Sequence, residues 1–240
     1  MVRFEIVPAG DSAILVQLPE RIDPDLNAWC IELQRLIASR LGGAVLDVVV
    51  GYCSVTAYFS PLATDPGWLE SEVRDLADRL SDVRQEAGAL IDVPVCYGGE
   101  YGPDLGEVAR FCGCSDEDVI AIHGGITYRV YLVGFIPGFA YLAEVDPRIA
   151  APRRAVPRTA VPPGSVAIAG GQTGIYPAAT PGGWNIIGRT PLKPYDPARR
   201  EPFLFRPGDR VRFHQISQEE FMHGGLAPMA QNLREWGQTP

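Results

Sequence analysis

Long apolar runs are missing from this 240-residue chain. Charged or polar residues interrupt every hydrophobic stretch before it reaches about 18 residues, the length a membrane-spanning helix needs. The opening Met1-Val2-Arg3-Phe4-Glu5 also lacks the basic region and apolar core of a secretion signal. The expectation is a cytoplasmic protein, neither exported nor embedded in a bilayer. Histidine is scarce, at three, and the five cysteines (Cys30, Cys53, Cys96, Cys112, Cys114) are odd in number and scattered. Cys112-x-Cys114 has no second pair to complete a zinc set, so no metal is expected, and the thiols read as small hydrophobes in a reducing compartment. The Gly-Lys-Ser/Thr ending of a phosphate-binding loop is absent, and no glycine-rich segment opens a helix, which excludes the standard nucleotide fingerprints. Ser12 and Ser165 lack a nucleophile-elbow setting, and no Ser/His/Asp order supports a hydrolase triad.

What is present is enough to fold. Hydrophobic content of 46% and charged content of 21% are those of a globular chain, and the length allows two small domains. Net charge is −8, unevenly spread: −13 over residues 1–120, +4 over 121–190 and +1 over 191–240. A basic island in an acidic protein favours a small anionic partner and disfavours a nucleic-acid backbone. Leu105, Val108, Ala109, Gly113, Ser115, Val119 and Ile122 do imitate helix-turn-helix spacing. However, the second helix opens Asp116-Glu117-Asp118 and would repel phosphates.

Periodicity divides the chain in two. Residues 4–18 and 45–59 read as hairpins turning at Ala9-Gly10-Asp11-Ser12 and near Gly51. Between them Leu26, Trp29, Leu33, Leu36 and Ile37 recur at helical spacing, with Asp23 as N-cap and Gly42-Gly43 as stop. A second helix is expected from about Pro66 to Arg84, on a face of Leu69, Val73, Leu76, Leu80 and Val83. This predicts a small α+β sandwich, ferredoxin-like, over residues 1–88. Residues 89–218 begin with the strand Ile91–Val95 and continue with two short helices, Asp104–Cys112 and Asp116–His123. Six strands broken by Gly and Pro follow: Tyr128–Phe135, Phe139–Ala143, Ser165–Gly170, Thr173–Tyr176, Trp184–Arg189 and Asp209–His214. The texture predicts a closed barrel, with residues 219–240 as a tail.

Chemical signals concentrate between His123 and Arg189. His123 ends a helix before Gly124-Gly125, and reads either as a helix-end cation or as a general acid/base beside a site. Gly134-Phe135-Ile136-Pro137-Gly138-Phe139-Ala140-Tyr141 reads as a pocket-lining loop or as a tight strand connection. Arg153, Arg154 and Arg158 lie among prolines; they read as planar forks for carboxylate or phosphate, or as solvated surface groups. Gly170-Gly171-Gln172-Thr173-Gly174 and Pro181-Gly182-Gly183 are turns able to offer backbone amides to an oxyanion.

Taken in order, Val93-Pro94-Val95-Cys96-Tyr97, Gly102-Pro103-Asp104-Leu105, Ile122-His123, Tyr128-Arg129-Val130, Gly134 to Tyr141, Pro152-Arg153-Arg154, Pro157-Arg158, Gly164-Ser165-Val166, Gly174-Ile175-Tyr176-Pro177, Pro181-Gly182-Gly183-Trp184 and Gly188-Arg189-Thr190 resemble the family of the 5-oxoprolinase B subunit. That family is also labelled allophanate hydrolase subunit 1 and includes an inhibitor of a sporulation histidine kinase. The resemblance implies a cyclophilin-like β-barrel after the α+β domain. It also implies two partners, the C and A subunits of 5-oxoprolinase, with which the assembly opens 5-oxoproline to glutamate using ATP. It leaves open a non-enzymatic histidine-kinase inhibitor, or half of a carboxyltransferase acting on urea or a related amide. The allophanate label fits poorly, because the Gly-Ser-Ser-rich amidase signature and the Met-Lys-Met biotin site are both absent. On the oxoprolinase reading Arg153, Arg154 and Arg158 hold an anion. Tyr128, Phe135, Phe139, Gln172, Tyr176 and Trp184 shape the site, and His123 moves a proton.

Overall fold

The computed structural model describes residues 2–80 and 88–224 and divides the chain into two compact units, Met1–Ala87 and Gly88–Pro240. In the first unit, β1 (Glu5–Pro8) and β2 (Ala13–Gln17) form a hairpin whose turn places Gly10 at a φ of 75°, where a side chain would be strained. Helix α1 (Pro24–Arg40) starts where Asp23 accepts the backbone N–H groups of Asp25 and Leu26, with Pro24 supplying a pre-set first turn. It buries Leu26, Trp29, Cys30, Leu33 and Ile37, the spacing of one helical face. A second hairpin joins β3 (Asp47–Val50) to β4 (Ser54–Tyr58). Val48, Val50, Val55 and Ala57 alternate inward, as a half-buried sheet requires. Helix α2 (Pro66–Arg79), capped by Asp65, adds Leu69, Val73 and Ala77 to the same core. Expected to continue to Arg84, the helix ends at Arg79 with Leu80 as its C-cap, and residues 81–84 lie outside the described residues.

The sheet order is β1-β2-β4-β3, antiparallel throughout. The elements run ββαββα, whereas a ferredoxin-like domain runs βαββαβ. The strand that follows the second helix, β5 (Leu90–Tyr97), lies in the second unit.

After β5 come α3 (Leu105–Cys112), α4 (Asp116–Gly124), β6 (Thr127–Val133), β7 (Ala140–Ala143) and a short 3-10 turn, Pro147–Ile149. The remaining strands are β8 (Arg158–Val161), β9 (Ser165–Ala169), β10 (Gln172–Ile175), β11 (Thr180–Gly182), β12 (Asn185–Arg189) and β13 (Arg210–Gln215), before α5 (Gln218–Met222). Seven strands close into a barrel in the order β10-β7-β6-β13-β5-β12-β9. Its neighbours pair antiparallel except β13 and β5, which run parallel with Arg210 opposite Leu90. The buried Asp209 carboxylate secures that junction, accepting the N–H groups of Ala89 and Arg206. Two strands, β8 and β11, pair with each other outside the barrel. Both lie where the sequence shows only proline and glycine turns, too short and too interrupted to register as strands.

Strand alternation gives the barrel wall two apolar faces. Along β9, Val166 and Ile168 join the interior cluster, while Ala167 and Ala169 join a second cluster with Phe139, Tyr176 and Trp184. Among the described residues no helix is long and apolar enough to cross a membrane.

Candidate functional site

The second cluster is the aromatic floor of the candidate site. Phe139 meets Tyr176 and Trp184 edge-on, at 5.1 and 5.5 Å between ring centroids, and Tyr141 meets Trp184 at 5.8 Å. Such edge contacts fix ring orientation as well as burying area. Val161 of β8 packs into the same cluster. The exposed Arg153 lies on this floor, its guanidinium 5.9 Å from the centroid of the Trp184 ring. Burial pushes the Tyr141 and Tyr176 phenols up, and the Arg153 charge opposes both shifts.

Arg154 and Arg158 are disposed differently, turned toward a carboxylate that is 2% exposed, Asp104. Arg158 donates from Nη2 to Oδ1 at 2.7 Å and from Nη1 to Oδ2 at 2.8 Å, a two-pronged fork. Arg154 donates from Nη1 to Asp104 Oδ1 at 2.7 Å and to Glu107 Oε2 at 3.1 Å. The hydrogen bond to Asp104 holds the Arg158 pKa above its ordinary value. The expected three-arginine clamp is therefore divided. Asp104 and Glu107 meet the charge of Arg154 and Arg158, and Arg153 is the guanidinium presented on the aromatic face.

His123 occupies the barrel interior. Its ring is fully buried and stacks on Phe213 at 4.5 Å between centroids. Nδ1 lies 2.8 Å from the Tyr97 hydroxyl and Nε2 lies 2.9 Å from Thr173 Oγ1. Thr173 donates its own proton to the Ala167 carbonyl at 3.0 Å. A hydroxyl has a single proton to give, so Nε2–H donates to Thr173 and the Tyr97 hydroxyl donates to Nδ1. Burial lowers the imidazole pKa to about 3. The ring is thus a neutral link in a buried chain of hydrogen bonds, not a solvent-facing acid/base. Tyr128 lies against it, 5.4 Å between ring centroids, with its phenol raised by burial. Gln172 is half-buried at the start of β10, opposite Ala143 and Ala169 and next to the Thr173 that receives His123.

Phe135 is placed elsewhere. It is 63% exposed at a φ of 71° on the β6–β7 connection, which lines a groove of about 550 Å³ with Phe203, Phe205 and the Glu201–Arg206 ion pair. A bulky residue in the left-handed region is unusual, and here the strain displays the ring. The glycine-proline loop thus lines one cavity through Phe135 and packs the aromatic floor through Phe139.

Sequence reasoning does not reach Asp104, Tyr97 or Thr173. Asp104 reads simply as the first residue of a helix, and its partners are about fifty positions away. The signal was a lone acid in the Gly102-Pro103-Asp104-Leu105 motif of a chain whose basic residues gather later.

Over residues 4–205 the chain matches the family model of the carboxyltransferase domain, subdomain C and D. It is 38% identical over 231 residues to a Bacillus subtilis (strain 168) protein named as the B subunit of 5-oxoprolinase, covering 92% of this chain and 96% of that one. The chain belongs to the 5-oxoprolinase B-subunit family. A second family member of the same name, from Escherichia coli O157:H7, is 42% identical over 219 residues, covering 88% of this chain and 94% of its own length. The crystal structure of TTHA0988 superposes with a TM-score of 0.76 at 37% identity, over 90% of this chain; this chain spans 40% of that one. The B-subunit relatives are of nearly equal length to this chain. They are, by name, one part of a multi-subunit enzyme.

Proposed function

We propose that this chain is the B subunit of a cytoplasmic, ATP-dependent 5-oxoprolinase that opens 5-oxoproline to glutamate together with the C and A subunits. We also propose that it does not turn over alone, and that its second unit is a cyclophilin-like barrel. The observation that carries the reading is similarity over 92% and 88% of the chain, at 38% and 42% identity, to proteins named for that subunit. The chemistry asked of the site is consistent with what the chain presents. A lactam is a poor electrophile, and ATP supplies the phosphoryl group that activates its oxygen. Among the described residues no Gly-Lys-Ser/Thr loop opens a helix, so the ATP site is not assigned to this chain. What this chain contributes is recognition of the substrate carboxylate. The Arg153 guanidinium, held over Trp184, forms a charge-assisted pair with it, and Tyr141 and Tyr176 belong to the same aromatic floor.

The test is steady-state kinetics with the three assembled subunits and 5-oxoproline. Arg153→Ala is expected to raise KM by roughly tenfold or more, since hydrogen bonds to a charged group contribute about 1.5–3 kcal/mol. An unaltered KM removes Arg153 from the site, and turnover by the purified chain alone contradicts the shared-site reading. The family model's name, carboxyltransferase domain, supports a second reading, transfer of a carboxyl group to an amide. Dependence of activity on a biotinylated carrier separates the two.

A further inference from the structure

We infer that Asp104 is the positioning residue of the Arg153 anion site, fixing where that guanidinium stands and leaving it as the free positive charge. The inference rests on the proposed function, in which Arg153 receives a carboxylate.

The first observation is what Asp104 does not do. It stands at the N-cap of α3, where an aspartate ordinarily accepts the backbone N–H groups of its own first turn. The residues in that place on the other helices, Asp23, Asp65, Ser115 and Ser217, all do so. Asp104 makes no such bond. Its carboxylate is turned across to Arg154 and Arg158, and its Oδ2 also accepts the Ile186 backbone N–H at 2.7 Å. Its own backbone N–H donates to the Ile186 carbonyl at 2.9 Å.

The second observation is what those bonds join. Ile186 lies two residues beyond Trp184, so Asp104 grips β12 next to its first residue, which directly follows the ring. Arg154 directly follows Arg153, and Arg158 opens β8, so the same carboxylate grips the segment that carries the cation. Two further bonds hold the parts in register: Arg154 N–H to the Gly183 carbonyl at 2.8 Å, and Asn185 Nδ2 to the Pro152 carbonyl at 2.7 Å. One buried acid thus ties together both members of the Arg153–Trp184 pair. Stability alone is a weak reason for this arrangement, because apolar side chains of similar volume often match a buried ion cluster, and here Arg154 Nε is left buried without a partner among the described residues. The charge balance points the same way. Asp104 and Glu107 offset Arg154 and Arg158, so the cluster presents a single positive charge, suited to one carboxylate and not to a polyphosphate.

The test is a double-mutant cycle on the assembled enzyme, reading kcat and KM for 5-oxoproline. Asp104→Asn is expected to raise KM by about tenfold while kcat stays within about threefold, and to add nothing when Arg153 is already alanine, the coupling expected of residues acting through one another. If Asp104→Asn multiplies KM equally in both backgrounds, its role is general support of the fold and the inference fails. If Arg153→Ala raises KM but Asp104→Asn does not, the inference fails and the anion reading stands. If Arg153→Ala leaves KM unchanged, the reading fails and takes the inference with it. Should circular dichroism show that Asp104→Asn is unfolded, Arg158→Lys keeps the charge, loses the two-pronged grip and replaces it in the same cycle, with the same outcomes deciding.

Discussion

At the scale of single residues, His123 shows how burial changes the role that residue type suggests. An imidazole enclosed in apolar side chains and bonded at both nitrogens to hydroxyls is stable as the neutral tautomer, and protonation would break the acceptance at Nδ1. The consequence for stability has a definite sign. In the unfolded chain the ring takes a proton below about pH 6.5, whereas in the fold it resists until about 3. Between those values the unfolded state binds more protons. Stability therefore falls as the pH drops from 6.5 toward 3, by up to about 1.4 kcal/mol per pH unit from this residue. His123→Gln is expected to lower stability at neutral pH by about 1–3 kcal/mol, through unsatisfied hydroxyls at Tyr97 and Thr173, and to flatten the acid limb. Urea unfolding of both proteins across pH 4 to 7.5 checks this, and parallel acid limbs would contradict it.

At the scale of elements, the β6–β7 connection depends on where its glycines stand. Gly138 has a φ of 86°, and a Cβ there would lie 2.6 Å from the Tyr195 Cβ. Gly170, in the separate turn between β9 and β10, has a φ of 57°, with nothing near the equivalent position. Gly138→Ala combines left-handed strain with a collision against a neighbouring segment, and is expected to destabilise by about 2 kcal/mol or more. Gly170→Ala carries the conformational strain alone, about 1–2 kcal/mol. Comparing the melting temperatures of the two variants tests the difference, and equal losses would mean that the contact with Tyr195 gives way freely. For the same reason the loop could be recognised from its residues while its two destinations could not. Glycine and proline announce a tight path, but which of Phe135 and Phe139 is buried depends on backbone angles and on the segment from Pro194 to Pro207 packed beside them.

At the scale of the whole molecule, two separate apolar clusters organise the two units. One is built around Trp29, Leu33 and Val55, and the other around Val130, Ile168 and Phe213. A chain beginning at Gly88 keeps the strands of the closed barrel and the Asp209 junction that joins β5 to β13. It is expected to fold without the first 87 residues, with a cooperative transition of its own. Near-ultraviolet circular dichroism and denaturant unfolding of that fragment decide the point. A featureless aromatic spectrum would show that the barrel needs the preceding unit.

The amino-acid order alone determined most of the secondary structure, because amphipathic spacing, caps such as Asp23 and turn glycines are local and act within a few residues. It also marked the basic island and the ordered motifs that place the chain in its family. It could not reveal that β8 and β11 pair, since four- and three-residue strands carry too little periodicity to read. The ββαββα order of the first unit, by contrast, was legible as two hairpins each followed by a helix, but the ferredoxin-like label attached to it needs a βαββαβ order that these elements do not follow. The candidate site divided in the same way. The arginines, aromatics and His123 were visible as residue types, and their surroundings were not. Only the tertiary structure brought Asp104 to Arg154 and Arg158, Tyr97 and Thr173 to His123, and Trp184 under Arg153. A side chain's charge state and partners are set by what long-range packing places within about 3 Å of it, the reach of a hydrogen bond.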